Sequence, residues 1–444
     1  MHQFPFIIGF FVQGIVFLIN WSNQPLDIIG LVLCSVSTLL LILYGEVNFN
    51  RLKVFGPYQV GFKEFRTKKF GNAVSVYYPM CKDLYKSKIG RHNTPWLRNG
   101  DRTLLGIAKA SGEYGSDKHA SVNIIRHLRK VMLDVVMNGD IHPDFHVKPI
   151  IPLVYCHGLS SNRTLHSGTC KDLASHGYMV FILDHKDGTS SYVVEEDGTE
   201  TFYDSKHLAY DYELRRAQIV QREKEVIALV DEIQDQEDMI NNTLKLNSHV
   251  KLQFDKLIMS GHSFGGITAI SVTRLDERVK LLFTLDPWTF AYHKEILAGE
   301  FQLNVPFFTV STEEFHPVCK YDSWTCLENL FAHSKNNVKE NVIYRKCGHL
   351  NQCDMAALIP LELYILAKWL PRVDSNQIYQ GQSKVVLSFL SKAGFNNNTY
   401  NHANIEKMIQ NIERQWIKYD IKYNANELKQ YTPPEIEFTS QNFK

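Results

Sequence analysis

The feature that most constrains the fold is an alternation of continuous apolar runs with helical patterns through the middle of the chain. Strands that are apolar throughout and separated by helices are typical of a parallel sheet covered by helices on both faces. The sequence therefore predicts an α/β fold with a mostly parallel sheet. The segments concerned are AVSVYYP (73–79), IIPLVYCHG (150–158), GYMVFILDH (177–185), DKLIMSGHS (255–263), VKLLFTLDPW (279–288) and VPFFTVST (305–312).

Four further stretches have the apolar spacing of helices. Between Tyr212 and Asp238, a stripe of Ile219, Val226, Val230 and Ile233 amid dense charge predicts an amphipathic surface helix. Residues 118–138 predict a helix that faces the core, with a face resting on lipid as the alternative. Residues 356–370 predict a late core helix, and residues 405–419 a more polar one.

A serine, Ser263, ends the predicted strand segment DKLIMSGHS (255–263). The pentapeptide Gly261-His262-Ser263-Phe264-Gly265 fits G-x-S-x-G, which in α/β-hydrolases occupies a sharp turn between a strand and a helix. Five positions with three fixed also recur by chance, so Ser263 is either a nucleophile or a small residue in a tight turn. The partners downstream decide between these two interpretations.

A serine nucleophile needs a histidine to accept its proton and a carboxylate to hold that histidine. In α/β-hydrolases the acid and then the histidine follow the serine on loops after later strands. Asp286 and His349 each lie at the end of an apolar run in that order. Alternatively, Asp286 opens an Asp-Pro turn and His349 is an ordinary loop residue. Position makes five other histidines weaker candidates: His157, His185, His262, His316 and His333.

Two backbone amides are candidates for stabilising the oxyanion of a tetrahedral intermediate. One is the N–H of the residue after the serine, Phe264, and the other comes from the loop after an earlier strand. His157-Gly158 begins that loop, so Leu159 is the second candidate donor. The alternative is a glycine turn without a catalytic role.

Composition excludes several classes of protein. The 444 residues include 48 basic and 47 acidic side chains, so no overall field attracts nucleic acid. None of the eight cysteines forms a CxxC pair of the kind that zinc modules use. Local disulfides between Cys319 and Cys326 and between Cys347 and Cys353 are conceivable in an oxidising compartment, but free thiols are favoured.

The first fifty residues predict a membrane anchor of one or two transmembrane helices. They contain no Lys or Arg and hold two apolar runs, Phe4 to Ile19 and Leu26 to Tyr44, of which the second is long enough to span a bilayer. A cleaved signal peptide and a buried core helix are the alternatives. The basic residues that follow favour a main domain facing the cytosol, weakly over a lumenal or secreted one. They are Arg51, Lys53, Lys63, Arg66, Lys68 and Lys69.

Several segments, in order, resemble the platelet-activating factor acetylhydrolase family, a group of calcium-independent phospholipases A2. The similarity extends roughly from Val54 to Phe395 and departs at Leu350, where the family typically has glutamine, and at Asp184, where it has glutamate. The segments are GPYQVG, HGLSSNRTLHSGTCKDLASHGYMVFILDHKDGTSS, GHSFGG, LDPWTF, PFFTVSTEEF and the loop around His349.

The resemblance implies an α/β-hydrolase fold with Ser263, Asp286 and His349 as the catalytic triad. It also implies Leu159 and Phe264 as oxyanion donors, no metal and no cofactor, and Trp288 is a candidate substrate-binding residue. The implied reaction is hydrolysis of short or oxidised sn-2 acyl groups of phospholipids. The apolar N-terminal runs make membrane lipid an expected partner, and the balanced charge argues against nucleic acid. A broader carboxylesterase or lipase and a catalytically silent interaction protein are the alternatives. The predicted domains are a membrane-anchoring region (residues 1–50), an α/β-hydrolase catalytic domain (54–400) and a C-terminal helix with a tail (401–444).

Overall fold

The apolar runs form strands in the computed structural model, which describes residues 52, 54–111, 128–129, 131–203, 210–319, 323–344, 347–358, 375–396 and 422–424. All six segments predicted as strands contain one. The strands are β1 (Gln59–Arg66), β2 (Ala73–Met80), β3 (Val136–Met137), β4 (Ile151–Cys156), β5 (Tyr178–Leu183), β6 (Tyr192–Val194), β7 (Glu200–Phe202), β8 (Ile258–His262), β9 (Leu281–Leu285), β10 (Phe307–Thr312), β11 (Lys339–Tyr344) and β12 (Lys422–Asn424).

Ten of the strands in the described part of the chain belong to one sheet, in the order β12-β11-β10-β9-β8-β4-β5-β2-β1-β3. The six neighbours from β11 to β5 are parallel, and β2 and β12 join them antiparallel on either side. β6 and β7 form a separate hairpin. The prediction of a mostly parallel sheet is therefore confirmed.

Helices cover both faces of the sheet, as continuous apolar strands require. They are α1 (Lys82–Lys88), α2 (Gly100–Ser111), α3 (Ser167–Ser175), α4 (Tyr212–Gln234), α5 (Phe264–Leu275), α6 (His293–Leu297), α7 (Phe315–Val318), α8 (Ser323–His333), α9 (Asp354–Leu358) and α10 (Ser375–Lys392). Helices α3 and α10 pack in one apolar core, and α4 and α5 pack in the other.

Helix α4 differs from the predicted surface helix in what it buries. Its apolar stripe is buried as expected, but Arg222, Glu223 and Glu225 are buried as well. The Arg222 guanidinium reaches the Asp187 carboxylate at 2.9 Å, and Glu225 reaches the His185 ring at 2.8 Å. Burial of these charges is possible because each has a partner of complementary charge or hydrogen bonding.

The helix predicted over residues 118–138 is wrong for its C-terminal part. Val136–Met137 forms β3, the edge strand of the sheet, which pairs parallel to β1, and Met132 bridges Pro95. The apolar side chains of Leu133, Val135 and Val136 are buried in this non-helical conformation, so they do not need a helical face. β-Branched residues at an open sheet edge favour strand pairing over a helix. Residues 118–127 lie outside the described residues.

Parts of the predicted termini lie outside the described residues. These are the apolar region 1–50, most of the late helix 356–370, the helix 405–419 and the final tail. Asp354–Leu358 at the start of the late helix is helical, and Lys422–Asn424 pairs with β11. Among the described residues, no helix is long and apolar enough to cross a membrane.

Candidate active site

Ser263 occupies a strained turn between β8 and α5. Its backbone has φ 59° and ψ −123°, a conformation that side-chain-bearing residues rarely adopt. The turn is held on both sides of the serine: its N–H donates to the Leu285 carbonyl at 3.0 Å, and its carbonyl accepts from Gly266 and Trp288, each at 2.9 Å. The strain is therefore compensated, and the serine lies at the carboxyl end of the central strands.

Two glycines allow other backbone segments to approach this turn. A Cβ added to Gly265 would lie 2.0 Å from the Cys156 carbonyl oxygen at the end of β4. One added to Gly158 would lie 3.0 Å from the Cβ of Ser263 and 3.5 Å from the His262 ring. The loop after β4 therefore packs directly against the candidate nucleophile because both positions lack a side chain.

Asp286 follows β9 and has its two carboxylate oxygens held by one residue at the end of β10. Thr312 donates its N–H to Oδ1 and its hydroxyl to Oδ2, both at 2.6 Å. The side chain is fully buried, and burial raises the pKa of Asp286 to about 6, against the lowering effect of nearby His316 and the Thr312 donors. At neutral pH the group is an oriented carboxylate.

The ring of His349 lies against that carboxylate, with Nδ1 3.1 Å from Asp286 Oδ2. It is sandwiched between the Phe315 ring, 3.7 Å away between centroids, and the His262 ring, 4.2 Å away. Burial lowers the pKa of His349 to about 3, so the ring is neutral near pH 7 and can accept a proton. Because His262 adjoins Ser263 in the chain, the stacking of the two rings places His349 beside the serine turn.

The loop that carries His349 is closed by one internal hydrogen bond and joined to β10 by another. We call residues 347–353 the histidine loop. The Gly348 N–H donates to Asn351 Oδ1 at 2.8 Å, and the Gln352 amide donates to the Val310 carbonyl at 3.2 Å. Leu350, one of the positions at which the sequence departs from the expected pattern, is 47% exposed.

The amides of Leu159 and Phe264, the predicted oxyanion donors, both lie next to the serine turn. Phe264 is the first residue of α5, so its N–H has no acceptor within the helix. Leu159 follows Gly158, which contacts the serine turn. In the turns and loops that the structure describes, neither N–H donates to a backbone carbonyl, whereas the next amide, Ser160 N–H, donates to Thr189 at 2.8 Å.

A buried arginine that sequence reasoning missed connects the two segments bearing these amides. Arg222 donates to the His157 carbonyl at 2.7 Å, and its guanidinium lies 4.8 Å from the Phe264 ring centroid. Its position on α4, amid many other charges, carries no signal in the sequence. Thr312 and Phe315 were missed too, although Thr312 ends a predicted parallel strand, which is where site residues collect.

The other histidines have different environments. His157 and His185 are fully buried in a polar cluster with Ser190 and Glu225, and burial lowers the pKa of both. His333 bonds the Asn329 carbonyl on the surface. His316 is buried 3.8 Å from the Asp286 carboxylate, closer to the site than its position in the sequence indicates.

Among the described residues, His262, Asp286 and His349 bring one possible metal-ligand atom each within 4.8 Å of one another. The two imidazole planes are only 25° apart and stacked, and a metal ion lies in the plane of each ring that binds it. A single ion close to both rings cannot satisfy that condition. The geometry suits a stacked, hydrogen-bonded cluster better than a metal centre.

Trp288 lies behind the serine turn in an aromatic cluster. Its backbone N–H donates to the Ser263 carbonyl. Its ring lies 5.8 Å from the Phe264 ring and 5.4 Å from the Phe290 ring between centroids. Tyr210 meets the same cluster edge-on. This environment is apolar, and a substrate contact by Trp288 stays a prediction.

The structure also bears on modification. Cys319, Cys326, Cys347 and Cys353 are all free thiols, as the sequence analysis favoured. Asn162, which begins an Asn-x-Thr sequence, is buried and donates its side-chain amide to Ser191 at 3.0 Å. A glycan at Asn162 is incompatible with this fold.

Comparison with known proteins agrees with the fold and with the class of enzyme. A family profile described as platelet-activating factor acetylhydrolase, isoform II, matches residues 45–412. The bovine (Bos taurus) platelet-activating factor acetylhydrolase is 27% identical over 362 residues, 76% of each chain. The dog (Canis lupus familiaris) protein of the same name is 30% identical over 286 residues, 59% of each chain. The structure of a ferulic acid esterase from Streptomyces cinnamoneus has the same fold, with a TM-score of 0.54 and 17% identity over 77% of this chain and 92% of its own.

The fold and the family together define an ester hydrolase of the α/β class. More particularly, the chain belongs to the platelet-activating factor acetylhydrolase family.

Proposed function

We propose that this protein is a calcium-independent serine phospholipase A2 that hydrolyses short or oxidised sn-2 acyl groups of phospholipids. The observation that carries the proposal is the Asp286–His349 pair beside Ser263, with Nδ1 3.1 Å from the carboxylate. The substrate class is taken from the relatives, which are named for acetyl hydrolysis of platelet-activating factor.

In the proposed reaction, neutral His349 accepts the Ser263 hydroxyl proton as the serine oxygen attacks the sn-2 ester carbonyl. Asp286, held by Thr312, keeps the ring oriented and stabilises the imidazolium that forms. The Leu159 and Phe264 N–H groups stabilise the negative oxygen of the tetrahedral intermediate.

Collapse of that intermediate breaks the ester bond. His349 donates its proton to the departing lysophospholipid alkoxide, and an acyl-serine remains. A water molecule activated by His349 then attacks the acyl group, which releases the carboxylic acid and regenerates Ser263. No step in this sequence needs a metal ion.

Replacement of Ser263 by alanine tests the proposal. Ser263→Ala should fold normally but lose activity by a factor of about 10⁴ to 10⁶, because no acyl-enzyme can form. The measurement is hydrolysis of an acetylated phospholipid and of simple esters, with excess EDTA in parallel, together with labelling by a fluorophosphonate. Native activity should persist in EDTA.

Ser260→Ala is the matched control, because the Ser260 hydroxyl is buried in β8 and has no hydrogen-bond partner in the described part of the chain. It should keep both labelling and activity. Near-native activity of Ser263→Ala would refute the nucleophile assignment. Activity that disappears in EDTA and returns with calcium would refute the metal-free reaction. Hydrolysis of simple esters alone would favour a broader carboxylesterase.

We also propose that residues 1–50 anchor the hydrolase domain to a membrane, with the domain facing the cytosol. The second of the two apolar runs ends at Tyr44, and the family match begins at residue 45. Both runs therefore lie outside the shared domain. The runs are apolar enough to serve as anchors. Membrane lipid is then both partner and source of substrate.

Alkaline carbonate extraction tests the anchor. The full chain should stay in the membrane pellet, and a chain lacking residues 1–50 should be released while it still hydrolyses a dispersed short-chain ester. Asn241 reports the orientation because it begins an exposed Asn-x-Thr sequence. It should carry no glycan in a cytosolic domain. Release of the full chain by carbonate would contradict the anchor, and a glycan at Asn241 would contradict the orientation.

A further inference from the structure

A second histidine faces the candidate triad carboxylate, on the oxygen that His349 does not use. The Nε2 atom of His316 lies 3.8 Å from Asp286 Oδ1, and the Nδ1 atom of His349 lies 3.1 Å from Oδ2. Both His316 and Asp286 are fully buried. The carboxylate therefore lies between two imidazoles in a region from which water is excluded.

The contacts of His316 are compatible with a ring proton on Nε2. Nδ1 lies 2.8 Å from the Ser323 hydroxyl, whereas Nε2 is buried without a hydrogen-bond partner in the described residues. Burial lowers the pKa of His316 to about 4, so the ring is neutral at physiological pH and has one N–H. If Ser323 donates to Nδ1, that N–H is on Nε2 and faces the carboxylate.

We propose that His316 is a positioning residue for the triad: its neutral Nε2–H faces Asp286 Oδ1 and keeps the carboxylate ionised and turned towards His349. The distance is longer than a hydrogen bond, so the interaction is that of a dipole with a charge, which burial strengthens. The inference rests on the proposed role of Asp286 and His349.

The other groups around the pair do not provide this stabilisation. The Cys319 and Cys347 thiols lie close enough to act on Asp286, but burial raises the pKa of both, so they are neutral. Among the described residues, the rings in contact with the His316 ring are Phe315, at 5.1 Å between centroids, and Trp324, at 4.8 Å, and neither carries a charge. Among the described residues, His316 therefore joins His349 and Thr312 as a polar neighbour of the carboxylate.

Removal of this N–H should raise the apparent pKa of the Asp286–His349 pair. Protonation of either Asp286 or His349 makes the pair more positive. The positive end of the His316 N–H dipole disfavours this protonation, whichever of the two residues carries the proton. Without the dipole the pair binds its proton at higher pH. The acid limb of the activity profile should therefore move to higher pH.

Two amide substitutions separate the roles of the two ring nitrogens. The Gln amide reaches the position of Nε2, and the Asn amide reaches only that of Nδ1, while both remove the titrating ring. We expect the acid limb of His316→Gln to coincide with the native one and that of His316→Asn to move up by about 0.5 to 1 pH unit. The measurement is the rate of fluorophosphonate labelling of the full chain between pH 5 and pH 8.

A native acid limb in folded His316→Asn would overturn the proposal, and so would equal effects of the two substitutions. If His316→Asn does not fold, Ser323→Ala serves instead. It leaves the ring in place and removes the donor that directs the proton to Nε2, so the limb should move the same way by a smaller amount. An unchanged limb in that variant overturns the proposal. Failure of the native protein to be labelled at Ser263 would refute the proposed function itself.

Discussion

At the scale of single residues, the candidate site depends on how the buried carboxylate is held. Asp286 has a positive φ of 41° and follows β9 directly, so its side chain meets the end of the neighbouring strand β10. Thr312 at that end donates to both oxygens. The orientation of His349 thus depends on a residue that takes no part in the proposed proton transfer.

Replacement of Thr312 by valine should weaken this arrangement without changing its volume. The lost hydrogen bond is made to a charged group, which is worth about 1.5–3 kcal/mol, so kcat should fall by a factor of about 10 to 100. Thr312→Ser retains the hydroxyl and should stay close to native. The measurement is kcat for a soluble ester together with the melting temperature of each variant. A native kcat in Thr312→Val would show that the hydroxyl has no part in orienting Asp286.

At the scale of elements, the serine turn requires β4 and α5 to approach more closely than side chains permit. Gly265 in the first turn of α5 lies directly over the end of β4, where the chain turns into the loop that bears Leu159. A strand and a helix that are distant in sequence are joined here through backbone atoms. The spacing of the oxyanion donors depends on that contact.

Gly265→Ala should therefore destabilise the protein by about 3 kcal/mol or more, because the new Cβ would lie 2.0 Å from the Cys156 carbonyl oxygen and the backbone must move. Gly198→Ala is the control: it has φ 84° and no atom within 4 Å of an added Cβ, so it should cost only about 1–2 kcal/mol of backbone strain. Urea denaturation measures both. Equal losses in the two variants would contradict the packing argument.

At the scale of the whole molecule, buried histidines make stability depend on pH. Burial lowers the pKa of six of them: His157, His166, His185, His262, His316 and His349. These rings stay neutral in the folded state but bind protons in the unfolded chain below about pH 6.5. Four buried carboxyl groups have raised pKa values and act in the opposite direction at lower pH: Asp184, Glu225, Asp286 and Asp354.

The free energy of unfolding should therefore fall as the pH is lowered from 7.5 towards 5. The histidines begin to favour the unfolded state near pH 6.5, and the carboxyl groups, which oppose them from about pH 6 downwards, are fewer. Each group contributes up to about 1.4 kcal/mol per pH unit. Urea denaturation at pH 7.5, 6.5, 6.0 and 5.0 measures the trend. A free energy that is constant or rises over this range would contradict the assignment of neutral buried rings.

The sequence by itself determined six of the ten strands of the central sheet and the residues proposed for the candidate triad. Continuous apolar runs specify buried parallel strands, and the glycines around Ser263 specify a turn that other residues cannot form. Both signals are local, because they come from backbone conformation and from burial on both faces of a strand. The order in which Asp286 and His349 follow Ser263 then reflects the order of the strands.

Only the tertiary structure decided which residues surround that triad. Thr312 and His316 contact Asp286 because β10 is the neighbour of β9, and Arg222 lies under Phe264 because α4 packs beside α5. Strand order and helix packing result from long-range burial, which leaves no periodic pattern in the chain. The same cause explains why the stretch ending at Val136–Met137 became an edge strand: its apolar residues had a partner strand available, and their spacing alone did not show it.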